Sequence, residues 1–483
     1  MIVKSMNDKT IFFKNSLLVA FSTVFGNLIF FVINIMIARY FDIAHFGEYT
    51  TAIGYATLFS LIADIGIKQT LIRFVNLEPE NEREHLGNSF VIKTVLMIVI
   101  YALMAISLYF TNYNYETIKL ALLFGVVRII EEYLKFFHSL FDAKQKYLIP
   151  SLYNILYYIL CLIVTILIVV AGGNYYQMAL TRILAVLFIA ILVALVIYQT
   201  FRFKFNYKIA KRFLIETIPF GLYAFCFTII QKSNLVFLSL IHGTILTGFF
   251  NNAHMFFLTL FFIPTVFNRI LVPYLYKHLE SGSRDKFQFA FDVFSKFLSV
   301  IGFYVALIFF AYSTEIIVMV FGIKYLDSGI ILKIIALGMP FIFSITNTLI
   351  MCLDKQRQNT KIVGIGVLVN IIGGITLIYF YNVNGAAIAN FITFAVIFTL
   401  SHLYLTIYEN VKIKKTIIIY IILTLICFVT YFVKVLTADK FHFIISIFIM
   451  SVVYFTFVLL ALVRKSDIRI IKETLGIMPK KTV

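Results

Sequence analysis

The chain has 483 residues, of which 61% are hydrophobic and only 13% are charged, and its mean hydropathy is +0.97. Because roughly a quarter of the residues of a soluble domain are charged, this chain has too few charges to cover a water-facing surface. Its apolar residues occur in blocks of about 20, which excludes an outer-membrane barrel built from strands of about ten alternating residues. The composition therefore predicts an all-α integral membrane protein.

The net charge of +18 comes from 41 Lys and Arg against 23 Asp and Glu. No basic arm or soluble basic domain carries this excess, so nucleic acid is not an expected partner. The first apolar block is too long for the core of a signal peptide, and no small-residue cleavage site follows it. We therefore expect an uncleaved first helix.

Polar breaks divide the sequence, in chain order, into about fourteen apolar spans. These spans cover residues 15–38, 46–69, 89–111, 117–141, 150–171, 177–199, 215–240, 247–275, 289–312, 328–351, 361–381, 385–407, 416–433 and 441–463. A helix needs about 20 apolar residues to cross a bilayer, so the sequence predicts about fourteen transmembrane helices.

The loops between these spans differ strongly in charge. On the side of the N-terminal arm they carry 27 Lys and Arg, whereas the other side carries only Arg39, Lys324, Lys434 and Lys440. Cytoplasmic loops are enriched in Lys and Arg. An even number of spans with both termini in the cytoplasm is therefore predicted.

A weak internal repeat relates the two halves of the chain. The entry to the second span, Gly47–Ala52, matches the entry to the eighth, Gly248–Ala253, and the segment Leu140–Gln145 resembles Cys352–Arg357. Parallel repeats about an axis normal to the membrane are typical of transporters. The sequence thus predicts two six-helix lobes related by a pseudo-two-fold axis, residues 1–212 and 213–410, followed by a helix pair and a cytoplasmic tail, residues 411–483.

The loops are too short to contain a globular catalytic domain. The sequence also lacks a G-x-x-x-x-G-K-[ST] segment to cradle the phosphates of a nucleotide. We therefore expect no enzymatic activity, and any uphill transport would draw on an ion gradient, on substrate concentration or on another chain.

Ten basic side chains fall within the predicted spans, where a charge at the bilayer centre costs about 2.5 to 3.5 kcal/mol. Five of them lie near span ends, where a long side chain can reach the headgroups, namely Lys68, Lys93, Lys119, Arg269 and Lys296. Arg128 and Lys232 lie about ten residues from a span end, too deep for this.

Arg128 begins a polar stripe that continues with Glu132 and Lys135, with Glu131 beside it, at the spacing of one helix face. Either this stripe is an intrahelical ion pair that joins the fourth helix to its neighbours, or Arg128 binds an anion. Lys232 has no acid near it in sequence, which favours an aqueous cavity or an anionic ligand.

Smaller polar residues also lie deep in the eighth and eleventh spans: Asn251, Asn252, His254 and Asn370. These side chains could coordinate a cation or a hydroxyl-rich substrate. Hydrogen bonding between helices is the more common role of such groups.

Several short motifs resemble those of one family. The run Ala38–Tyr49, the segment Ile62–Ile67, the aromatic and glycine element Phe321–Tyr325 and the segment Asn384–Ala387 are similar to the signatures of polysaccharide-biosynthesis flippases. These flippases belong to the multidrug, oligosaccharidyl-lipid and polysaccharide exporter superfamily.

The resemblance implies a fourteen-helix flippase of the bacterial cytoplasmic membrane. It would carry an undecaprenyl-diphosphate-linked oligosaccharide to the outer face by alternating access through a cationic cavity between the lobes. The candidates for the cavity lining are Arg128 and Lys232, with Arg182 and Lys333 nearer the outer mouth. No cofactor is implied beyond a Na⁺ or H⁺ gradient, and the partners would be membrane lipids, a polysaccharide polymerase and chain-length proteins.

Two other functions stay open. A multidrug or small-solute antiporter of the same superfamily should place unpaired acids deep in a lobe, whereas the deepest unpaired charge found in this sequence is Lys232. A membrane polymerase or ligase acting on lipid-linked sugars should use a large outward loop with Arg, His or acids, and the outward loops here are short.

Overall fold

The computed structural model describes residues 2–63, 66–197, 205–280, 284–437 and 441–463, and every regular element within them is a helix. The α-helices are α1 (Ile2–Tyr40), α2 (Ile43–Ile62), α3 (Ile67–Leu77), α4 (Glu82–Tyr109), α5 (Tyr115–Ala143), α6 (Leu148–Val170), α7 (Tyr175–Ile197), α8 (Tyr207–His242), α9 (Thr244–Leu260), α10 (Phe262–Glu280), α11 (Arg284–Phe321), α12 (Ser328–Ala336), α13 (Met339–Ile342), α14 (Thr346–Cys352), α15 (Gln356–Ile407), α16 (Lys414–Thr437) and α17 (Phe443–Ala461). Short 3₁₀ turns cover Pro79–Asn81 and Ile323–Tyr325.

Local capping sets where several helices begin. Asp42 precedes α2 and accepts a hydrogen bond from the His45 N–H at 2.8 Å, and Asn114 precedes α5 and accepts one from the Thr117 N–H at 2.9 Å. Such side chains satisfy backbone donors that have no partner inside the helix. Asn114 therefore fixes the start of α5, the helix that carries Arg128, Glu131, Glu132 and Lys135.

In the described residues, eleven helical segments are long and apolar enough to cross a membrane, or twelve if the bent pair formed by α12 with α13 and α14 counts as one span. This finding confirms an all-α, multi-pass membrane protein. The 52-residue α15 would extend about 78 Å, and it is broken at Asn382, where φ is 51°. The charged α5 is not among these segments, so the number fourteen stays a prediction.

The chain divides into two compact units. Unit 1 contains residues 1–251 and 374–383, and unit 2 contains residues 252–373 and 384–483. Within unit 1, α2 and α7 pack on α5, and α1 packs on α6. Within unit 2, α11 packs against α12 and α16, and α16 packs against α17. The lobe boundaries expected from the repeat stay predictions.

The matched glycines of the sequence repeat contact each other inside unit 1. A Cβ added to Gly248 would lie 3.3 Å from the Cα of Gly47, and one added to Gly47 would collide with the carbonyl of Thr244. Only glycine allows two backbones to approach so closely. These residues therefore form a tight crossing of α2 and α9.

Candidate functional site

Two predicted cations meet at one carboxylate in unit 1. Arg128 Nη1 donates to Glu131 Oε2 at 2.5 Å, and Arg182 Nη2 lies 3.7 Å from Glu131 Oε1. The Tyr157 hydroxyl donates to the same Oε1 at 2.7 Å and receives a hydrogen bond from Arg182 Nε at 3.3 Å. This cluster, called the arginine cluster below, joins α5, α6 and α7 and carries one net positive charge.

The neighbouring acid belongs to a different set of contacts. Glu132 Oε2 accepts from Lys93 Nζ at 3.2 Å, and Glu132 Oε1 accepts from Lys135 Nζ at 2.6 Å. Lys93 is 0% exposed and Glu132 is 2% exposed. The expectation that Lys93 reaches the headgroups is therefore wrong, because α5 brings a buried carboxylate to it.

The residues of the stripe predicted on α5 thus belong to two different sets of contacts. Arg128 pairs with Glu131, and Glu132 faces α4 through Lys93. The alternative of an intrahelical ion pair describes the Arg128 contact correctly, although the arginine cluster also extends to Arg182 on α7.

Lys232, on α8, lies close enough to Arg128 for their positive charges to repel each other. No carboxylate in the described part of the chain lies within ion-pair distance of Lys232. In a low-dielectric interior, two neighbouring cations are costly unless an anion or water is present. The structure therefore brings two of the four predicted cations, Arg128 and Arg182, to one acid, and a third, Lys232, lies near Arg128.

A small cavity of about 20 Å³ lies next to the arginine cluster. Its walls include Tyr49, Tyr157, Tyr158 and Arg182. A volume of this size holds a water molecule and is too small for a diphosphate.

The fourth cation, Lys333, belongs to unit 2. It is half-buried on α12, and its Nζ lies 4.6 Å from the centre of the Phe310 ring. This cation–π contact stabilises a charge at membrane depth without a carboxylate.

The predicted polar lining has mixed surroundings. Asn370 is buried and donates to Thr393 Oγ1 at 3.2 Å and to Asn390 Oδ1 at 3.5 Å, as expected for hydrogen bonding between helix segments. Asn251, Asn252 and His254 are all buried on α9. Neither polar side-chain atom of Asn252 has a hydrogen-bond partner in the described residues.

Outside the spans, a more exposed ion-pair network joins α3, α4 and α8. Glu78 accepts from Arg212 at 2.9 Å and contacts His85 Nε2 at 3.0 Å, and Arg212 also donates to Glu216 at 3.0 Å. The hydrogen bond from Arg212 is the main reason why the pKa of Glu78 lies below its usual value of 4.5. Since these loops are rich in Lys and Arg, this network belongs to the predicted cytoplasmic side.

Two residues with notable surroundings are not among those predicted from the sequence. Tyr157 bridges Glu131 and Arg182, and Glu48 is a buried acid whose carboxylate accepts one hydrogen bond within the described part of the chain, from Asn114. Both roles depend on contacts between distant helices, although the position of Glu48 in the resemblance motif was an available signal.

Comparison with known proteins gives one family and one fold. Residues 12–279, more than half of the chain, match the family described as "Polysaccharide biosynthesis protein". No curated protein matches the chain.

Several solved structures share the fold, among them one flippase and two transporters. The lipid II flippase MurJ, in an inward closed conformation, superposes with a TM-score of 0.75 at 18% identity and covers 92% of this chain and 98% of its own. An inward-facing multidrug resistance MATE transporter of the MOP superfamily has a TM-score of 0.60 at 12% identity, with 80% and 96% covered. A MOP superfamily transporter from Pyrococcus furiosus, described as having a binding pocket of reverse polarity, has a TM-score of 0.56 at 12% identity, with 81% and 96% covered.

These structures are flippases and transporters, and their identities of 12 to 18% establish the fold alone. The family match is independent of them and covers α2 to α9 completely. The chain therefore belongs to the polysaccharide biosynthesis protein family and has the fold of the multidrug, oligosaccharidyl-lipid and polysaccharide exporter superfamily.

Proposed function

We propose that the protein is a flippase that carries an undecaprenyl-diphosphate-linked oligosaccharide across the bacterial cytoplasmic membrane by alternating access, with both termini in the cytoplasm. Membership of the polysaccharide biosynthesis family and the fold shared with a lipid II flippase support this function. A flippase moves its substrate without making or breaking a bond, so no catalytic residue is required. A polysaccharide polymerase and chain-length proteins would act on the product.

The excess of positive charge at membrane depth is the observation that carries the proposal: the arginine cluster has one net positive charge, and Lys232 has no carboxylate within ion-pair distance in the described residues. Two cations held near each other at membrane depth lower the stability of the empty protein. An anion placed between them removes this repulsion. Ligand binding therefore offsets the destabilisation of the folded protein that the two cations cause.

The chemistry of the substrate suits this excess charge. A diphosphate carries about two negative charges, and it loses much of its hydration when it leaves water. Guanidinium and ammonium groups replace that hydration with charge-assisted hydrogen bonds. The polyprenyl tail is apolar and can stay in the lipid while the head group crosses.

A second candidate is an antiporter of small solutes in the same superfamily. Its supporting observation is Glu48, a buried acid without a cation within ion-pair distance in the described residues. Such an acid could bind a cationic solute. The two candidates therefore differ in whether the transported molecule is an anion or a cation.

Transport into proteoliposomes separates them. Wild-type protein should move a fluorescently labelled undecaprenyl-diphosphate-linked oligosaccharide and leave a cationic dye outside. Lys232→Ala should abolish this movement at unchanged protein abundance, and Lys232→Arg should retain part of it because the charge persists.

The matched control is Lys68→Ala, which removes a lysine whose partner is Asp142 at 2.7 Å. It should transport the lipid-linked oligosaccharide at the wild-type rate. Normal transport by Lys232→Ala would remove Lys232 from the site, and uptake of the dye alone would favour the antiporter.

A further inference from the structure

A cavity of about 290 Å³ opens in unit 2 where three helices end near one another. Its wall consists of residues between 289 and 296 near the start of α11, residues between 415 and 422 at the start of α16, and residues 461–462 at the end of α17. The loop charges predict that these three helix ends lie on the cytoplasmic side. This cavity, called the α16–α17 cavity below, contains no residue of the arginine cluster and lies close to the predicted cytoplasmic surface of the membrane.

Two lysines and one acid are the charged residues in the described wall of the cavity. Lys415 Nζ donates to Asp292 Oδ2 at 2.8 Å, and Lys296 Nζ donates to the Leu462 carbonyl at 3.1 Å. The other carboxylate oxygen of Asp292 accepts a hydrogen bond from Gln288 at 2.8 Å. The wall therefore carries one net positive charge, and both oxygens of its acid are already occupied by hydrogen bonds.

Lys415 is the best placed of these groups to bind a ligand, because its side chain is 71% exposed while its ammonium group contacts Asp292. An ammonium group has three N–H donors, so Lys415 can bind a phosphate oxygen and keep this contact. Lys412 and Lys414 are two further exposed cations just before it. In addition, α16 has no acid in its first turn, and the N-terminal end of a helix favours an anion. This end of the cavity therefore favours an anionic ligand.

The segment that carries these lysines is held against α11 by contacts outside the cavity. Gln288 Oε1 accepts from the Lys412 N–H at 3.0 Å, and Gln288 Nε2 donates to the Lys412 carbonyl at 3.0 Å. Arg284 donates to the Glu409 carbonyl at 2.6 Å. A ligand would therefore meet a basic segment whose backbone is already positioned.

The rest of the cavity wall is apolar and reaches the surface of the helices. Phe289 is 40% exposed and Ile418 is 46% exposed, and Val293 and Ile422 also line the cavity. Exposed apolar side chains next to charged ones match a ligand that has an anionic head and apolar chains. An inorganic anion would leave the apolar part of the wall uncovered.

We propose that the α16–α17 cavity binds an anionic phospholipid of the cytoplasmic leaflet, with its phosphate at Lys415 and Lys296 and an acyl chain against Phe289 and Ile418. The negative surface potential of that leaflet attracts basic segments, and basic pockets between transmembrane helices bind lipid head groups. The site does not depend on the proposed function, because it requires only the orientation predicted from the loop charges.

The chain itself offers an occupant of the wrong charge. Residues 464–483 follow α17 and lie outside the described residues, and they contain six Lys and Arg against two acids. A cavity with a net positive charge repels a segment with this excess, whereas it attracts an anionic lipid. The charges therefore favour the lipid.

Native mass spectrometry of the full chain, released from detergent micelles that contain phosphatidylglycerol, tests the site. The wild type should retain phosphatidylglycerol more firmly than phosphatidylcholine with the same acyl chains. Lys296→Gln and Lys415→Gln each remove a charge and keep a hydrogen-bonding side chain. Each should weaken retention of phosphatidylglycerol about fivefold, the effect of one basic residue near an anionic surface, and the double variant should weaken it about 25-fold.

The matched control is Lys414→Gln, which removes the same charge one residue away from Lys415 and outside the cavity wall. Because an exposed charge is screened by salt, it should weaken retention less than about twofold. An equal loss in Lys414→Gln would indicate general attraction to the surface and would overturn the site. Wild-type retention in the double variant would also overturn it, since the two lysines would then be only structural partners of Asp292 and α17.

Asp292→Asn provides a test in the opposite direction, because it removes the competing acid and keeps both lysines. It should strengthen retention of phosphatidylglycerol, and weaker retention would contradict the proposal. Melting temperatures measured without added lipid show which variants are folded.

Further measurements distinguish the lipid from other occupants. Phosphatidylglycerol should raise the melting temperature of the wild type, and an equal rise with inorganic phosphate alone would overturn a lipid site in favour of a free anion. Removal of residues 464–483 should not weaken retention, and a loss would assign the binding to that segment. Firmer retention of undecaprenyl diphosphate that depends on Lys296 and Lys415 would assign the cavity to the substrate and overturn the proposal.

Discussion

Separate replacements of Arg128 and Glu131 distinguish two possible roles of Arg128, which are to neutralise a buried acid and to bind the substrate. Arg128 is 20% exposed and Glu131 is 11% exposed, so both charges are largely removed from water. Removing one partner of a fully buried pair costs about 3 to 5 kcal/mol because the other charge is left uncompensated. In the arginine cluster, removal of Arg128 and removal of Glu131 should destabilise the protein by different amounts.

After Arg128→Ala, Glu131 still has two partners. The Tyr157 hydroxyl remains at 2.7 Å and Arg182 at 3.7 Å. The loss is then that of one hydrogen bond between charged groups, about 1.5 to 3 kcal/mol, and the local charge becomes neutral. We expect Arg128→Ala to be folded and moderately less stable than the wild type.

Glu131→Gln has the opposite effect on the local charge. It leaves Arg128 and Arg182 near one another without their shared carboxylate, so the destabilisation should reach about 3 to 5 kcal/mol. The double variant Arg128→Ala/Glu131→Gln removes this repulsion and should therefore be more stable than Glu131→Gln alone. A double-mutant cycle of this kind isolates the interaction between the two residues.

The assay measures two quantities for each variant, the free energy of unfolding in mixed detergent and the initial transport rate per folded molecule. If Arg128 binds the substrate diphosphate, transport is lost in Arg128→Ala and is not recovered in the double variant. Recovery of transport together with stability would refute substrate binding and leave Arg128 as a neutralising group. Lys93→Ala is the structural comparison, since it should lose stability with little change in rate per folded molecule.

Three other predictions concern topology, packing and pH. Reporter fusions after residue 175 should score as extracytoplasmic and fusions after residue 207 as cytoplasmic, and the reverse result would invert the orientation. Gly47→Ala should lower the melting temperature because its Cβ meets the α9 backbone. The control Gly364→Ala has open space around its Cβ and should maintain or raise the melting temperature. Equal effects of the two substitutions would contradict a tight contact between α2 and α9 at Gly47. Arg212 lowers the pKa of Glu78 in the folded state below its usual value of 4.5. The ionised Glu78 therefore stabilises the folded protein above pH 4.5, and this stabilisation is lost as the pH falls through the lower pKa of the folded state. Glu78→Gln should remove that part of the acid sensitivity in thermal melts, and an unchanged pH profile would contradict it.

The fold class followed from composition because the bilayer allows few solutions. Long apolar blocks with few charges can only become helices in lipid, and the described residues agree. The break at Asn382 in α15 was also foreseeable, since the polar segment around it separates two spans. The number of spans depends on how charged and bent segments are counted, and composition alone does not decide that.

The charged stripe of α5 illustrates what sequence spacing cannot provide. Spacing placed Arg128, Glu132 and Lys135 on one face, and Lys135 does pair with Glu132, yet Arg128 pairs with Glu131 and Glu132 also pairs with Lys93. The direction of each side chain is set by groups on α4, α6 and α7, which lie 26 to 51 residues away along the chain. The position of Lys93 near a span end likewise led to the wrong prediction that its side chain reaches the headgroups, because an acid on a neighbouring helix pairs with it.

The arginine cluster and the set formed by Lys93, Glu132 and Lys135 differ in whether their charges can exchange partners with a ligand. Lys93, Glu132 and Lys135 form a set in which the acid is fully hydrogen-bonded and two of the three members are almost inaccessible, so exchange of its partners would be slow and unfavourable. In the arginine cluster, by contrast, Glu131 is shared by two arginines, and Lys232 adds a further positive charge that no acid in the described residues offsets. An incoming diphosphate would compete with Glu131 for the guanidinium groups. Because Glu131 already supplies one negative charge there, it would weaken binding and permit release, which a transporter requires as much as affinity.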